Sequence, residues 1–299
     1  MKPTLLILAA GMASRYGSMK QIDGFGPHGE TIIDYSIYDA IKAGFGKVVF
    51  IIKEEFAENF KTIFEAKLKG KIETDYVFQS YDLKPFGIDH EIERAKPWGT
   101  AHAVLAARDA VKEPFCVINA DDFYGREAYQ KMFDFLTSEV GDNRFSMVGY
   151  QIDKTLSDHG TVSRGVCVVD ADGNLTDINE RTKVYFKGSG VAYEEDGQEH
   201  SLKNDSRVSM NFWGFTPAVF ELSTGMFKEF ALKNADNPKS EFFIPLVADE
   251  LIKKGMASFK VIPTQNKWFG VTYKEDKPIV QASIDKLVNS GEYPGNLWN

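Results

Sequence analysis

Cysteine, histidine and long apolar runs are all scarce in this 299-residue chain. The scarcity of cysteine argues against a disulfide-rich protein, and the scarcity of long apolar runs argues against a membrane protein. The two cysteines, Cys116 and Cys167, lie inside apolar segments, which indicates buried thiols in a reducing compartment rather than a disulfide framework. The apolar stretch after Lys2 ends at Gly11, so it is too short for a membrane span, and it lacks a signal-peptide cleavage region. We therefore expect a cytoplasmic protein with no membrane partner.

An excess of positive charge is also absent. The formal net charge is −8 and no basic run occurs, so a surface that follows the phosphates of a nucleic acid is not expected. The spacing of the loop from Ala9 to Lys20 matches neither the Walker pattern G-x-x-x-x-G-K-[ST] nor the dinucleotide pattern G-x-G-x-x-G. An anionic ligand must instead meet a few positioned cations and backbone N–H groups.

The first half of the chain alternates short apolar runs with segments of helical period. TLLILAA, KVVFII, DYVFQ and PFCVINA predict strands, whereas TIIDYSIYDAIKAGF, EFAENFKTIFEAKLKG, GTAHAVLAARDAV and REAYQKMFDFLTSEVG predict helices. Ile33, Ile37 and Ile41 share one face of the first of these helices. Strand–helix alternation at this spacing predicts an α/β fold with a doubly wound, mostly parallel, Rossmann-like sheet.

The second half is richer in strands. RFSMVGYQI, GTVSRGVCVVD, LTDINER and RVSMNFWGFTP predict strands, with a hairpin signal at Asp172-Gly173. Residues 186–206 are polar and glycine-rich, which predicts a mobile loop or lid. We expect a single domain over 1–299, with a nucleotide-binding half (1–150), a substrate-side β extension (151–275) and a C-terminal helix and tail (276–299).

The loop after the first strand is the strongest candidate for binding phosphate. The small residues Ala9, Ala10 and Gly11 let the backbone approach a ligand, and exposed N–H groups can contact phosphate oxygens. Arg15 and Lys20 add positive charge, and arginine can bind phosphate in bidentate fashion. The alternative is an ordinary strand-to-helix turn with solvated cations.

The segment LAAGMASRYGSMKQ resembles the signature of the sugar-phosphate nucleotidyltransferases, L-A-[AG]-G-x-[GA]-[ST]-R followed by P-K. The resemblance continues to about residue 290. It implies that Arg15 contacts the β- and γ-phosphates, that Lys20 contacts the α-phosphate, and that the backbone of Ala9, Ala10 and Gly11 binds the nucleotide. Met19 replaces the usual proline, and the short Arg–Lys spacing is similar to that of the molybdopterin nucleotidyltransferases.

Two further segments of the first half match the family. Gly99 and Thr100 stand in its P-x-G-T-A-x-A stretch, whose backbone binds the nucleobase together with an upstream glutamine, here Gln79. The alternative is that Thr100 only caps a helix. In VINADDFYG, Asp121 and Asp122 directly follow a strand, and the resemblance implies that Asp121 binds Mg²⁺ with Asp122 as a second candidate. Asp122 could instead cap the next helix.

The second half carries the residues that would bind a sugar phosphate. Gly160 resembles the glycine of the family's Y-G-V-V stretch, and Glu180 stands at the glutamate of its E-K-P motif. Arg181 or Lys183 would contact the phosphate, since Lys183 is offset from the family's lysine. Asn211 matches the N-x-G-x-[YF] stretch that lines the sugar pocket.

One departure concerns the metal. The family's W-x-D-x-G-T motif supplies a second metal-binding aspartate, but this chain has Gly270 at that position. Three outcomes remain open: Asp121 acts with phosphates and water alone, another acid such as Asp122 or Asp276 compensates, or catalysis is lost.

The resemblance implies an enzyme that joins a nucleoside triphosphate to a sugar 1-phosphate and releases pyrophosphate, with Mg²⁺ as cofactor and a pyrimidine base favoured. Two alternatives remain. One is a glycosyltransferase that uses a nucleotide sugar, and the other is a catalytically silent regulator that binds one, which only Gly270 suggests. The sequence does not determine the oligomeric state.

Overall fold

The computed structural model describes residues 1–10, 24–157, 160–271 and 274–299. Within these ranges the strands are β1 Thr4–Leu8, β2 Lys47–Ile52, β3 Glu73–Phe78, β4 Phe115–Asn119, β5 Asp122–Phe123, β6 Arg144–Gln151, β7 Val162–Val169, β8 Leu175–Lys187, β9 Gly190–Glu195, β10 Gln198–Leu202, β11 Arg207–Phe215, β12 Ser258–Pro263 and β13 Phe269–Gly270. The helices are α1 Ile32–Ala43, α2 Ala57–Leu68, α3 Thr100–Ala106, α4 Arg126–Ser138, α5 Ala218–Lys233, α6 Ile244–Lys253 and α7 Lys277–Asn289. None of the helices in the described ranges is long and apolar enough to cross a membrane.

Eleven of the described strands form one mixed sheet, which confirms the predicted α/β class. Nine of them lie in the order β10-β9-β8-β7-β11-β4-β1-β2-β3, and β6 pairs with both β11 and β12. Strands β4, β1, β2 and β3 run parallel, as the alternation of strands and helices predicts. Strand β11 runs antiparallel to β4, β6 and β7, so the parallel core continues into an antiparallel extension.

Helices cover both faces of the parallel core. Apolar residues of α1, α2 and α4 pack on one face, where Ile33 and Ile37 are fully buried as their spacing predicts. Residues of α3, α5 and α6 pack on the other face. Helix α3 is shorter than its sequence pattern predicts, because the chain tightens after Ala106 into turns in which Ala107 and Arg108 bond to carbonyls three residues back.

The register of the parallel strands decides which residues meet at the carboxyl edge of the sheet. Leu8 lies opposite Ile51 on one side and Asn119 on the other. Beyond β3, the backbone N–H of Gln79 donates to the carbonyl of Ile52 at 3.0 Å. The residues that follow β1, β3 and β4 therefore emerge at the same edge, where open α/β sheets bind ligands.

The prediction of a mobile loop or lid over residues 186–206 is wrong. This segment completes β8 and forms β9 and β10, which pair antiparallel as an extension of the sheet. Val191, Ala192 and Tyr193 are buried as a short apolar run, whereas the residues that follow them in β9 and β10 are largely polar. Asp196 and Gly197 both have positive φ (52° and 74°), the conformation of a tight hairpin turn.

Helix α7 and the C-terminal tail pack on a separate apolar cluster. Tyr35 of α1 makes an edge-to-face contact with Tyr293 of the tail, their ring centroids 5.1 Å apart. Phe123 of β5 stacks on Phe269 of β13 at 4.4 Å. Since β5 and β13 pair antiparallel, with Asp122 opposite Gly270, this cluster stabilises the segment that carries the paired aspartates.

Candidate functional site

A cleft of about 1080 Å³ opens at the carboxyl edge of the sheet and runs toward the antiparallel extension. Of the residues that the sequence singled out, those that line it are Ala10, Gln79, Gly99, Thr100, Asp121, Asp122, Glu180, Lys183 and Asn211. The cleft thus brings together candidates from both halves of the chain. The predicted phosphate-binding residues Gly11, Arg15 and Lys20 lie outside the described residues.

Asp122 is buried at the base of this cleft and is oriented by a directional chain of hydrogen bonds. The indole N–H of Trp213 can only donate, and it donates to Asn211 Oδ1 at 3.2 Å. Asn211 Nδ2 then donates to Asn119 Oδ1 at 2.6 Å, and Asn119 Nδ2 donates to Asp122 Oδ2 at 2.9 Å. Each amide is thereby fixed in one orientation, and the chain ends on a carboxylate oxygen. The hydroxyl of Tyr124 lies 3.2 Å from the same oxygen.

The other oxygen of Asp122 faces Gly270. A Cβ at position 270 would lie 2.6 Å from Asp122 Oδ1 and 2.9 Å from the Asp121 carbonyl oxygen. The Asp122 carboxylate therefore occupies the space that any side chain at 270 would need. Burial and the adjacent Asp121 carboxylate raise the pKa of Asp122 to about 7, opposed by Asn119 and Arg164. Asp276, the other acid considered as a compensating ligand, is buried at the start of α7 and is not among the residues that line the cleft.

Arg164 of β7 is a site residue that sequence reasoning missed. It lines the cleft, it is only 9% exposed, and its guanidinium lies 4.9 Å from the centroid of the Trp268 ring. Its Nε donates to Thr155 Oγ1 at 3.1 Å. Burial lowers the pKa of Arg164 to about 10, and the negative charges of Asp122 and Glu180 oppose this shift. The sequence signal that could have revealed Arg164 was an arginine within a mostly apolar strand. Such a cation is rarely buried unless acidic partners lie near it.

The wall near β3 and α3 contains the residues predicted to bind the nucleobase. Gln79 Nε2 donates to the Gly99 carbonyl at 3.3 Å and lies 3.1 Å from His102 Nδ1. Thr100 Oγ1 accepts from the backbone N–H of Ile244 at 3.2 Å, so its hydroxyl ties α3 to α6 rather than capping its own helix. The ring of His102 is buried against Phe86 and Phe227.

The predicted sugar-phosphate residues are only partly brought together. Glu180 lines the cleft as an exposed side chain, and its partial desolvation there raises its pKa while Arg164 opposes that effect. Lys183 lines the cleft and pairs with Glu194 at 2.8 Å. Arg181 alternates with the cleft-lining Glu180 and Thr182, so it faces away from the cleft and pairs with Glu195. Lys183 has a φ of +53°, which breaks the alternation and lets it line the cleft as well. Gly160 is exposed, and the cleft is lined by the residues that follow it, Thr161 to Gly165.

Among the described residues, no group of three or more His, Cys, Asp or Glu side chains is arranged to hold a metal ion. Asp121 and Asp122 are the adjacent pair of carboxylates in the cleft. A pair of this kind suits Mg²⁺ when substrate phosphates and water complete the coordination.

Comparisons with known proteins identify the family and the fold of this chain. The family model described as nucleotidyl transferase matches residues 6–272. A search among curated proteins gave no significant match. The inositol-1-phosphate CTP transferase from T. maritima superposes with a TM-score of 0.61 at 14% identity, covering 95% of this chain and 97% of that one.

Two other solved structures are similar. A putative glucose-1-phosphate thymidylyltransferase from Bacillus anthracis gives a TM-score of 0.63 at 13% identity, covering 94% of both chains. A UDP-glucose pyrophosphorylase complexed with UDP-glucose gives 0.59 at 14% identity, covering 96% of this chain and 99% of the other. At these identities the likeness establishes the fold, whereas the family model, which spans most of the sequence, establishes the membership. The chain is a nucleotidyltransferase, a member of the nucleotidyl transferase family.

Proposed function

We propose that this enzyme joins a nucleoside triphosphate to a sugar 1-phosphate, giving a nucleoside diphosphate sugar and pyrophosphate. A single observation carries the proposal: one cleft is lined by Gln79 and Gly99 on one wall, by Asp121 and Asp122 at its base, and by Glu180 on the other wall. These are the residues that the family resemblance assigns to nucleobase, metal and sugar. The three similar structures are each named for a pyrimidine nucleotide together with glucose or a 1-phosphate.

The chemistry requires little beyond positioning and charge. An oxygen of the sugar phosphate attacks the α-phosphorus, the bond from that phosphorus to the bridging oxygen breaks, and pyrophosphate leaves with the electron pair. The nucleophile is already anionic, so no side chain has to remove a proton. Catalysis then depends on holding two polyanions in line and on neutralising charge as it spreads in the transition state. Arg15 and Lys20 remain the predicted cations for the triphosphate.

The acids at the base of the cleft fit a divalent cation. Since the Asp122 carboxylate fills the space beside Gly270, it supplies an acid from β5 at the place where the family motif would supply one from β13. We propose that Asp121 and Asp122 hold Mg²⁺, which when bound would supply positive charge beside the α-phosphate. The charge of Arg164 interacts with both Asp122 and Glu180, so it offsets part of the negative charge of the cleft.

Glu180 is the proposed partner of the sugar hydroxyls, because a carboxylate that lines the cleft can accept hydrogen bonds that water would otherwise make. Lys183 is the better candidate for the sugar phosphate, since it lines the cleft and Arg181 does not. Arg181 and Gly160 stay predictions for this half of the site, and Asn211 acts through Asn119 on Asp122.

The test is a pyrophosphate-release assay that crosses UTP, dTTP, CTP, ATP and GTP with a panel of sugar 1-phosphates. Asp121→Ala should lower turnover by about 10²–10³-fold, because one charge-stabilising contact in a transition state typically contributes that much. Asp109→Ala is the matched control, since the Asp109 side chain is 90% exposed on the surface.

Three results would contradict the proposal. Equal rates of pyrophosphate release in Asp121→Ala and the wild type would show that Asp121 has no role in catalysis. Transfer of sugar from a nucleotide sugar to an acceptor, without pyrophosphate, would indicate a glycosyltransferase. Nucleotide binding without turnover across the whole panel would indicate a regulator.

A further inference from the structure

The amide of Gln79 is held in one orientation by its two inner neighbours. Gln79 Nε2 lies 3.3 Å from the carbonyl oxygen of Gly99 and 3.1 Å from Nδ1 of His102. A carbonyl oxygen can only accept a hydrogen bond, so the amide group that faces Gly99 must be the NH₂. The same NH₂ faces His102, and Nδ1 of that ring is therefore the acceptor of the second N–H.

The buried surroundings of His102 keep its Nδ1 a hydrogen-bond acceptor. Its ring is only 2% exposed and packs against Phe86 and Phe227, with centroid distances of 5.6 and 4.6 Å. Burial, with a smaller effect of Arg94, lowers the pKa of His102 to about 4. The imidazole is neutral at pH 7, and it keeps a lone pair on Nδ1 with the proton on Nε2.

The consequence lies on the cleft side of Gln79. Gly99 and His102 engage both amide N–H groups, so the amide oxygen is the polar group that Gln79 has left to offer to the cleft it lines. A reversed amide would offer N–H donors instead. The two orientations select different bases, because the ring nitrogen N3 of uracil and thymine carries a hydrogen, whereas N3 of cytosine carries a lone pair.

We propose that His102 is a positioning residue that holds the Gln79 amide oxygen toward the nucleobase, and that this selects UTP or dTTP over CTP. The inference rests on the proposed function, since it takes Gln79 as part of the nucleobase wall. An acceptor facing the N3–H group makes a hydrogen bond. The same acceptor facing the cytosine lone pair makes none and leaves two acceptors opposed, which is why the mismatch costs more than a lost bond.

The experiment is calorimetric binding of UTP, dTTP and CTP, each with Mg²⁺, to the full-length protein, because it needs no knowledge of the sugar phosphate. In the wild type, UTP or dTTP should bind about tenfold tighter than CTP or more, the effect expected of one unpaired buried polar group. Equal binding of CTP, or a preference for it, would overturn the inference.

Two variants separate positioning from folding. His102→Phe keeps an aromatic ring between Phe86 and Phe227 but removes the acceptor, so the preference for UTP over CTP should shrink to about twofold. His102→Asn can present an amide oxygen near the place of Nδ1 and should restore most of the preference. In steady-state assays His102→Phe should raise KM for UTP and leave KM for the sugar phosphate and the limiting turnover nearly unchanged, a split that a general loss of structure would not produce.

Gln79→Ala provides the second route should His102→Phe fail to fold, because it should abolish the base preference with the histidine in place. A base preference that persists in both variants would overturn the inference. Pyrophosphate release with CTP alone would also overturn it and would leave the proposed function intact. Failure of every nucleotide to bind would contradict the proposed function itself.

Discussion

At the scale of single residues, Gly270 and Asp122 share one space. Asp122 lies on β5 and Gly270 on β13, and the pairing of these two short strands places them opposite each other. The Asp122 carboxylate reaches to within 2.6 Å of the point where a Cβ at position 270 would stand. Only a glycine at position 270 thus leaves room for this orientation of the Asp122 carboxylate.

Gly270→Ala should therefore displace the Asp122 carboxylate, which the hydrogen bonds from Asn119 hold in place. We expect a loss of about 1–3 kcal/mol in the free energy of unfolding, the usual cost of inserting a methyl group into a packed site, and a parallel loss of turnover. Thermal unfolding and the pyrophosphate assay measure the two effects. Gly295→Ala is the control, since no atom lies within 4 Å of its Cβ position; equal behaviour of the two variants would refute the shared-space interpretation.

Arg164 is the other residue whose surroundings define its role. Its side chain is buried above the ring of Trp268 and interacts electrostatically with Asp122 and Glu180, whereas the pair of Arg144 with Glu139 lies on the surface. Removing one partner of a buried charge cluster leaves the others uncompensated, but removing one partner of a surface pair changes little.

We expect Arg164→Met to lower the free energy of unfolding by about 3 kcal/mol. Arg144→Met should lower it by less than about 1 kcal/mol. Urea denaturation of both variants provides the comparison, and similar losses would show that Asp122 and Glu180 do not depend on Arg164.

At the scale of elements, the hairpin β9–β10 shows how a polar segment joins a sheet. Its composition resembles that of a loop because the end of β9 and most of β10 are polar, yet Val191, Ala192 and Tyr193 form a buried apolar run that pairs with β8. The turn Asp196-Gly197 carries the same hairpin signal as Asp172-Gly173. A short apolar run and the turn type, rather than average polarity, decide that these residues form strands.

Two glycines near helices α5 and α6 provide a prediction at this scale. Gly225 lies inside α5 with open space around its Cβ position, so Gly225→Ala should raise the free energy of unfolding by about 0.5–1 kcal/mol through helix propensity. Gly255 follows α6 with φ of +64°, so Gly255→Ala should lower it by a similar amount, because a Cβ disfavours that conformation. Melting temperatures of the two variants should move in opposite directions; movement in the same direction would refute the argument.

At the scale of the whole molecule, Asp39 of α1 connects the start of the chain to its end. Tyr293 donates its hydroxyl to Asp39 Oδ2 at 2.6 Å, and Arg126 Nε lies 3.4 Å from Oδ1. The carboxyl is 1% exposed, and burial raises the pKa of Asp39 to about 7 despite these partners. The folded protein therefore retains a proton that the unfolded chain loses near pH 4.

Because the folded state binds the extra proton, this contribution to stability is fully present below about pH 4 and is lost as the pH rises to about 7. The slope is at most about 1.4 kcal/mol per pH unit. Asp39→Asn should remove this slope. The free energy of unfolding of the variant, relative to that of the wild type, should therefore be higher at pH 8 than at pH 5. Denaturant titrations at both values measure the difference, and parallel pH profiles of the two proteins would contradict the raised pKa.

The amino-acid sequence by itself determined the alternation of strands and helices, because the period of apolar residues encodes local structure. The mixed α/β sheet and the buried face of α1 were predicted for this reason. The order of the motifs was likewise sufficient to place Gln79, Gly99 and Asp121 along one cleft, since parallel strands end at a common edge. The expectation that Glu180 lies near them came from the family resemblance, because Glu180 stands on an antiparallel strand. The division of the chain into functional halves stays a prediction.

Only the tertiary structure decided which groups meet across long sequence separations. The approach of Asp122 to Gly270 depends on the pairing of β5 with β13, and the environment of Arg164 depends on strands that meet in the sheet. The orientation of the Gln79 amide depends on a ring from α3. Such contacts follow from packing in three dimensions, which the periodicity of a sequence does not record.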